Sequence, residues 1–316
     1  MTITSLGPAL RQPIASELAH PANKDCAEEG HRLLSSTPFQ DLGNGGQEVL
    51  ALMADHAHQS AADWSARQYL KFEDERTRPP RDLLAQVPLQ SPRRVVDLGC
   101  GPGNSTELLI ERFPDAEVIG IDSSPDMLRQ ARKRLPRCRF VEGDLATWKP
   151  EPDTDLLFGN AVFQWVPDHP KVLGRLLQLL PQGGVLAVQM PDNTTEPALT
   201  LMEKVAAKGP WAAAIARANA ARNDLPPPEA YYDLLRPLCS HLDMWRTDYN
   251  HVMADHAGVV EWFKGSGLRP FLAPLDAEMR EKFTANYTDE IQRAYSTRHD
   301  GKVLLKFPRL FILAVQ

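Results

Sequence analysis

Three carboxylates follow three short apolar runs, and a glycine-rich turn follows the first. Arg94-Val95-Val96-Asp97-Leu98 runs into Gly99-Cys100-Gly101-Pro102-Gly103-Asn104. Val118-Ile119-Gly120-Ile121 closes on Asp122-Ser123, and Arg139-Phe140-Val141 leads through Glu142-Gly143 to Asp144-Leu145. Residues of these types recognise a ligand. Glycines without side chains let a ligand lie against backbone N–H groups, and the helix-forming segment from Ser105 adds a positive N-terminus. Asp97 puts a negative charge where the pyrophosphate of a dinucleotide would sit, which repels an anion and favours a cation. The dinucleotide fingerprint G-x-G-x-x-G/A also fails at its third small residue, where Asn104 stands.

A nucleoside carrying positive groups fits such a turn. S-adenosylmethionine has a cationic amino group and a sulfonium, and its ribose and adenine need acceptors. Asp122 lies about 23 residues after Gly99, near the roughly 20-residue spacing of a ribose-binding acid. Asp144 closes the third run, where it could accept from the adenine amine. Each acid alone reads equally well as a helix cap or turn residue; three in succession make that reading poor. The expected cofactor set is Asp97, Gly99, Cys100, Gly101, Gly103, Asn104, Asp122, Ser123, Met127, Asp144, Leu145 and Asn160.

Longer blocks carry a resemblance. Asp97 to Thr106 and Gly120-Ile-Asp-Ser-Ser-Pro125 resemble the class I S-adenosylmethionine-dependent methyltransferases at large. Gln164-Trp165-Val-Pro-Asp-His169, Val185 to Asn193, Trp245-Arg246-Thr247, Gly267-Leu-Arg-Pro270 and Phe307 to Ile312 resemble, more narrowly, the trans-aconitate 2-methyltransferase family. The likeness runs from about Trp64 to the C-terminus. It implies a Rossmann-like α/β fold whose seven-stranded sheet has its last strand antiparallel, with a helical lid. It also implies S-adenosylmethionine as cofactor and esterification of one carboxylate of trans-aconitate.

A carboxylate nucleophile is already ionised at pH 7, so no general base is expected, and no metal. Rate then comes from orientation and water exclusion, worth about 7–11 kcal/mol. A polyanionic acid calls for arginines, which clamp carboxylates bidentately. The candidates are Arg78, Arg246, Arg269 and Arg309, with Gln164, Trp165, Gln189 and Tyr231 as polar or aromatic wall; Tyr69, Tyr232 and His251 are weaker. Two other substrates fit the same chemistry, another small polycarboxylate or a malonyl-carrier-protein thioester. A non-catalytic methyltransferase-fold binding protein is the alternative from a different class.

The elements that must position these residues follow from the pattern. Strands are expected near Arg94–Leu98, Glu117–Ile121, Arg139–Val141, Thr154–Gly159 and Gly184–Met190, alternating with helices near Ser105–Phe113, Pro125–Leu135 and Pro170–Leu180. That alternation predicts a doubly wound parallel sheet. A short helix, Arg81–Gln86, precedes it. Helical stretches at about 195–240 and 255–300 read as lid insertions in a domain spanning 63–316, and residues 1–62, rich in Pro, Gly, Ser, Ala and Gln, read as a disordered extension.

Among 316 residues the formal net charge is -6, with no long basic run, so neither nucleic acid nor an anionic membrane is an expected partner. Four cysteines without C-x-x-C spacing fit a reducing compartment, and no apolar run nears the ~18 residues of a membrane span. The expected location is cytoplasmic. Oligomeric state is not legible.

Overall fold

Helix α1, Glu73–Leu84, leads into the sheet in the computed structural model, which describes residues 72–217 and 224–316. The expected extension 1–62 and Tyr69 lie outside the described residues. The helix begins before the expected Arg81 and runs through Pro79 and Pro80, which supply no amide hydrogen to its interior. Packing offsets that loss, since Arg76, Thr77, Pro79, Pro80, Leu83 and Leu84 are all buried.

Strands and helices then alternate as β1 (Arg94–Leu98), α2 (Asn104–Arg112), β2 (Glu117–Asp122), α3 (Pro125–Arg134), β3 (Arg139–Glu142), β4 (Leu156–Asn160), α4 (His169–Gln178) and β5 (Val185–Pro191). Caps explain several starts. Ser124 accepts from the Met127 amide ahead of Pro125, which is preset for a first helical turn. After β5 come α5 (Pro197–Ala206), α6 (Ala212–Arg217), α7 (Pro228–Leu235), β6 (His241–Met253), α8 (His256–Lys264), α9 (Arg269–Leu272), α10 (Ala277–Ala294) and β7 (Val303–Val315). Asp255 and Asp276 cap α8 and α10 in the same way.

The sheet has seven strands in the order β3-β2-β1-β4-β5-β7-β6. Strands β1 to β5 are parallel, and β7 runs antiparallel to both β5 and β6. This is the expected sheet with its last strand reversed. The strand order changes direction between β1 and β4, and the crevice beyond the strand ends at that point is where open α/β sheets take ligands.

Side chains alternate between two cores. Val95, Leu156, Phe158, Val185, Ala187, Phe311 and Leu313 pack with α1, α2, α5, α8 and α10; Val96, Leu157, Leu186, Val188, Leu310 and Ile312 pack with α4 and α7 on the opposite face. By the same alternation Asn160, Gln189, His251, Phe307 and Arg309 share the first face. Helix α7, in the first expected lid stretch, therefore lies across the sheet from those residues.

Candidate functional site

The turn after β1 holds its three glycines at φ of 68°, 55° and 94°, conformations that a side chain disfavours. At Gly99 there is also no room, because a Cβ would stand 2.3 Å from Val162 Cγ2. Beneath the turn Asp97 is fully buried. Its Oδ2 accepts from Ser105 Oγ at 2.8 Å and Thr106 Oγ1 at 2.6 Å, while Oδ1 has no hydrogen-bond partner among the described residues. Burial pushes this carboxyl up from 3.8 to about 6 against the pull of the two hydroxyls.

Asp122 accepts from the Gly101 amide at 2.9 Å and the Ser124 amide at 2.8 Å, one per carboxylate oxygen. Burial raises its pKa and the backbone donors oppose that rise. Asp144 Oδ1 accepts from the Ala146 amide at 2.9 Å. The Cys100 thiol is pushed well up, first by burial and then by Asp97, so it serves as an apolar wall residue and not as a nucleophile.

A cavity of about 540 Å³ opens over these groups. One end is lined by Gly99, Cys100, Gly101, Asn104, Asp122, Ser123, Met127, Asp144 and Leu145, all members of the expected cofactor set; Asn160, also of that set, stands on β4 between that end and β7. Gly103 and Asp97 are not in the lining. Gly103 shapes the turn as the N-cap of α2, and Asp97 lies below it. The other end is closed by Trp165, Asn193, Leu199, Trp262, Phe263, Phe307, Arg269, Arg309 and Arg76. Helices α8 and α9, from the second expected lid stretch, thus roof the cavity, and the first stretch contributes Leu199.

Two of its arginines are buried and held. Arg309 Nη1 donates to Gln189 Oε1 at 2.9 Å, and its guanidinium lies 4.9 Å from the Phe307 ring centre. Arg76 Nη2 donates to the Trp262 carbonyl at 3.1 Å and stacks 4.9 Å from that indole. Behind them His251 is buried between Trp262, Tyr249 and Phe307, its Nε2 without a hydrogen-bond partner among the described residues. Burial, then Arg309, Arg76 and Arg78, bring it down from 6.5 to about 4, so it is neutral at pH 7. The cavity therefore carries acids at one end and guanidinium groups at the other.

Several expected residues stand elsewhere. Arg78 is exposed, 3.9 Å from Asp82, and sits over the Tyr249 ring outside the cavity. Arg246 is exposed and bonded to the Asp192 carboxylate and carbonyl. Tyr231 is buried in the opposite core, where its hydroxyl meets His169 Nε2 at 2.6 Å. Gln189 is buried behind the lining instead of in it. Gln164 does line the cavity, but its Nε2 donates to the Ala161 carbonyl at 2.5 Å and its Oε1 is buried without a partner among the described residues, so the donor expected for a carboxylate is already engaged. Arg76, Asn193 and Trp262 were not anticipated.

Comparison with known proteins agrees with this geometry. The methyltransferase domain family matches residues 95–184. A trans-aconitate 2-methyltransferase of Rhodopseudomonas palustris strain HaA2 is 61% identical over 255 residues, covering 81% of this chain and all of that protein. The chain belongs to the trans-aconitate 2-methyltransferase family. A family member from Rhizobium rhizogenes strain K84 is 55% identical over 253 residues, 80% of this chain and 99% of its own length. Among solved structures the YcgJ protein of Bacillus subtilis superposes with a TM-score of 0.50 at 15% identity, covering 76% of this chain and 98% of that one, which shows the shared fold.

Members of this family use S-adenosylmethionine, and the acid end of the cavity fits it. A Cβ on Gly101 would meet nothing within 4 Å, so space lies open above the turn. Asp122, on the cavity wall, keeps acceptor capacity for a ribose hydroxyl, and the orphaned Asp97 Oδ1 places a buried negative charge beneath a cation.

Proposed function

We propose that this chain esterifies one carboxylate of trans-aconitate, using S-adenosylmethionine, to give the monomethyl ester. The observation that carries the reading is the division of one cavity into an acid end and an end with Arg76, Arg269 and Arg309. Asp122 and Asp144 hold the ribose and adenine by accepting from hydroxyl and amine hydrogens. When bound, S-adenosylmethionine supplies a methyl group on a sulfonium, which an ionised carboxylate takes by in-line displacement without losing a proton. The arginines hold the carboxylates that do not react and so aim the one that does. A trianion in a closed pocket without such partners would cost several kcal/mol per charge. Trp165, Trp262, Phe263 and Phe307 exclude water from the reacting atoms.

The reading takes residues 63–316 as the catalytic domain, its substrate as a free small acid, and its setting as the cytoplasm. No helix of the described residues is long and apolar enough to cross a membrane. The test is turnover by purified protein with labelled S-adenosylmethionine and trans-aconitate, cis-aconitate, isocitrate or malonyl carrier protein. Ester is expected from trans-aconitate first. No ester from trans-aconitate, with ester or label on another acceptor, replaces the substrate and keeps the chemistry.

A further inference from the structure

Three side chains on one sheet face form a hydrogen-bonded row across β4, β5 and β7. Gln189 Nε2 donates to Asn160 Oδ1, and Arg309 Nη1 donates to Gln189 Oε1 at 2.9 Å. Asn160 and Arg309 both line the cavity, whereas Gln189 is 0% exposed and does not. Chemistry fixes the direction of the row. A guanidinium has only donors, so Gln189 must turn its oxygen toward Arg309. Its Nε2 then faces Asn160, which must answer with Oδ1, leaving Nδ2 as the amide group that Asn160 offers a ligand.

We propose that Gln189 is a positioning residue: by bonding both neighbours it gives Asn160 a donor face, and Asn160 and Arg309 together receive the substrate carboxylates. A donor face suits a carboxylate and disfavours the amino and sulfonium groups of the methyl donor, and the row ending on Arg309 assigns Asn160 to the acid and not to the cofactor set in which its sequence position places it. The inference rests on a polycarboxylate being the substrate. Its selectivity has a physical basis. An amide reversed toward the cavity would set a carbonyl oxygen against a carboxylate oxygen, two acceptors with no proton between them.

Two variants separate positioning from mere filling of a buried space. Gln189→Glu keeps the length and the bond from Arg309 but cannot donate, so Asn160 must turn Nδ2 toward it and show Oδ1 to the ligand, while the new carboxylate neutralises Arg309. Gln189→Met keeps the length and loses both bonds, leaving Asn160 and Arg309 to turn as the substrate requires. Positioning predicts that the polar replacement is the worse one; filling and hydrogen bonding predict the reverse.

KM and kcat for trans-aconitate are measured at saturating S-adenosylmethionine, S-adenosylhomocysteine affinity by calorimetry, and folding by thermal melts. Gln189→Glu is expected to raise KM about 30-fold or more and Gln189→Met about 3- to 10-fold, with S-adenosylhomocysteine affinity within about threefold of wild type in both. A Met variant as impaired as the Glu variant, or cofactor affinity falling together with substrate affinity, overturns the proposal. Should Gln189→Glu not fold, Asn160→Asp decides: it still accepts from Gln189 but meets the substrate with an acceptor, and an unchanged KM overturns the proposal. Wild type that forms no ester from trans-aconitate overturns the substrate reading and this inference with it. Active wild type with the variants in the opposite order overturns this inference alone.

Discussion

Replacing Asp97 with Asn should make the ligand-free protein more stable and a poorer binder of its methyl donor. Raising a buried carboxyl from 3.8 to about 6 makes the native state about 3 kcal/mol less stable once the pH exceeds 6. The sign follows from proton counts. Below pH 3.8 the group is protonated folded and unfolded, so it contributes nothing; between 3.8 and 6 only the unfolded chain loses the proton, and stability falls as pH rises. Asn keeps an acceptor for Ser105 and Thr106 and carries no charge. The variant is therefore expected to exceed wild type by about 3 kcal/mol at pH 7.5, or about 5–10 °C in Tm, and by only about 0.5 kcal/mol at pH 4.

The comparison must be between the two proteins because His251 titrates in the same range with the opposite sign. Held down to about 4, it leaves the unfolded chain alone to take a proton as pH falls below 6.5, so its share of stability is lost toward acid and offsets that of Asp97 in the wild-type profile. Denaturant titrations from pH 4 to 7.5 give the stability difference, and calorimetry with S-adenosylhomocysteine, which keeps the cationic amino group, gives affinity. Loss of the buried charge beneath the turn is expected to weaken binding about 10- to 100-fold. A stability gap that does not change with pH, or equal affinity in the two proteins, would refute the reasoning.

Other perturbations separate packing from recognition. Gly99→Ala drives a Cβ into Val162 and should cost about 2 kcal/mol or more of stability by thermal melt, whereas Gly101→Ala meets open space and should cost about 1 kcal/mol while losing most cofactor affinity by calorimetry. Arg309→Met should lower kcat/KM for trans-aconitate about 30-fold or more with S-adenosylhomocysteine binding retained. Arg246→Ala, exposed and outside the cavity, should stay within about twofold in the same assay. Deleting residues 1–62 should leave kcat/KM within about twofold if the catalytic domain is 63–316.

The acid end of the cavity was readable because its information is local. Strand, turn and helix follow one another within about twenty residues at Asp97, and a period of two or a glycine triplet needs no distant partner. The arginine end depends on contacts between remote segments. Arg76 meets Trp262 across 186 positions. The helix expected from Arg81 gave no facing for the arginines before it; residues two apart lie about 200° around a helix, so Arg78 faces solvent when Arg76 is buried. Tyr231 was misplaced for a related reason, since nothing local says which face of the sheet α7 will cover. Gln189, a polar residue in an apolar strand, was expected in the cavity wall and is not in its lining. What the sequence could not convey was that it lies one layer behind the cavity, bonded to both neighbours.

The most direct test of the account is a crystal structure with S-adenosylhomocysteine and trans-aconitate bound together. The account places the ribose hydroxyls on Asp122, and the acid against Arg309 and Arg76 with one carboxylate facing the sulfur. Trans-aconitate bound away from those arginines, or a nucleoside held without Asp122, would contradict it.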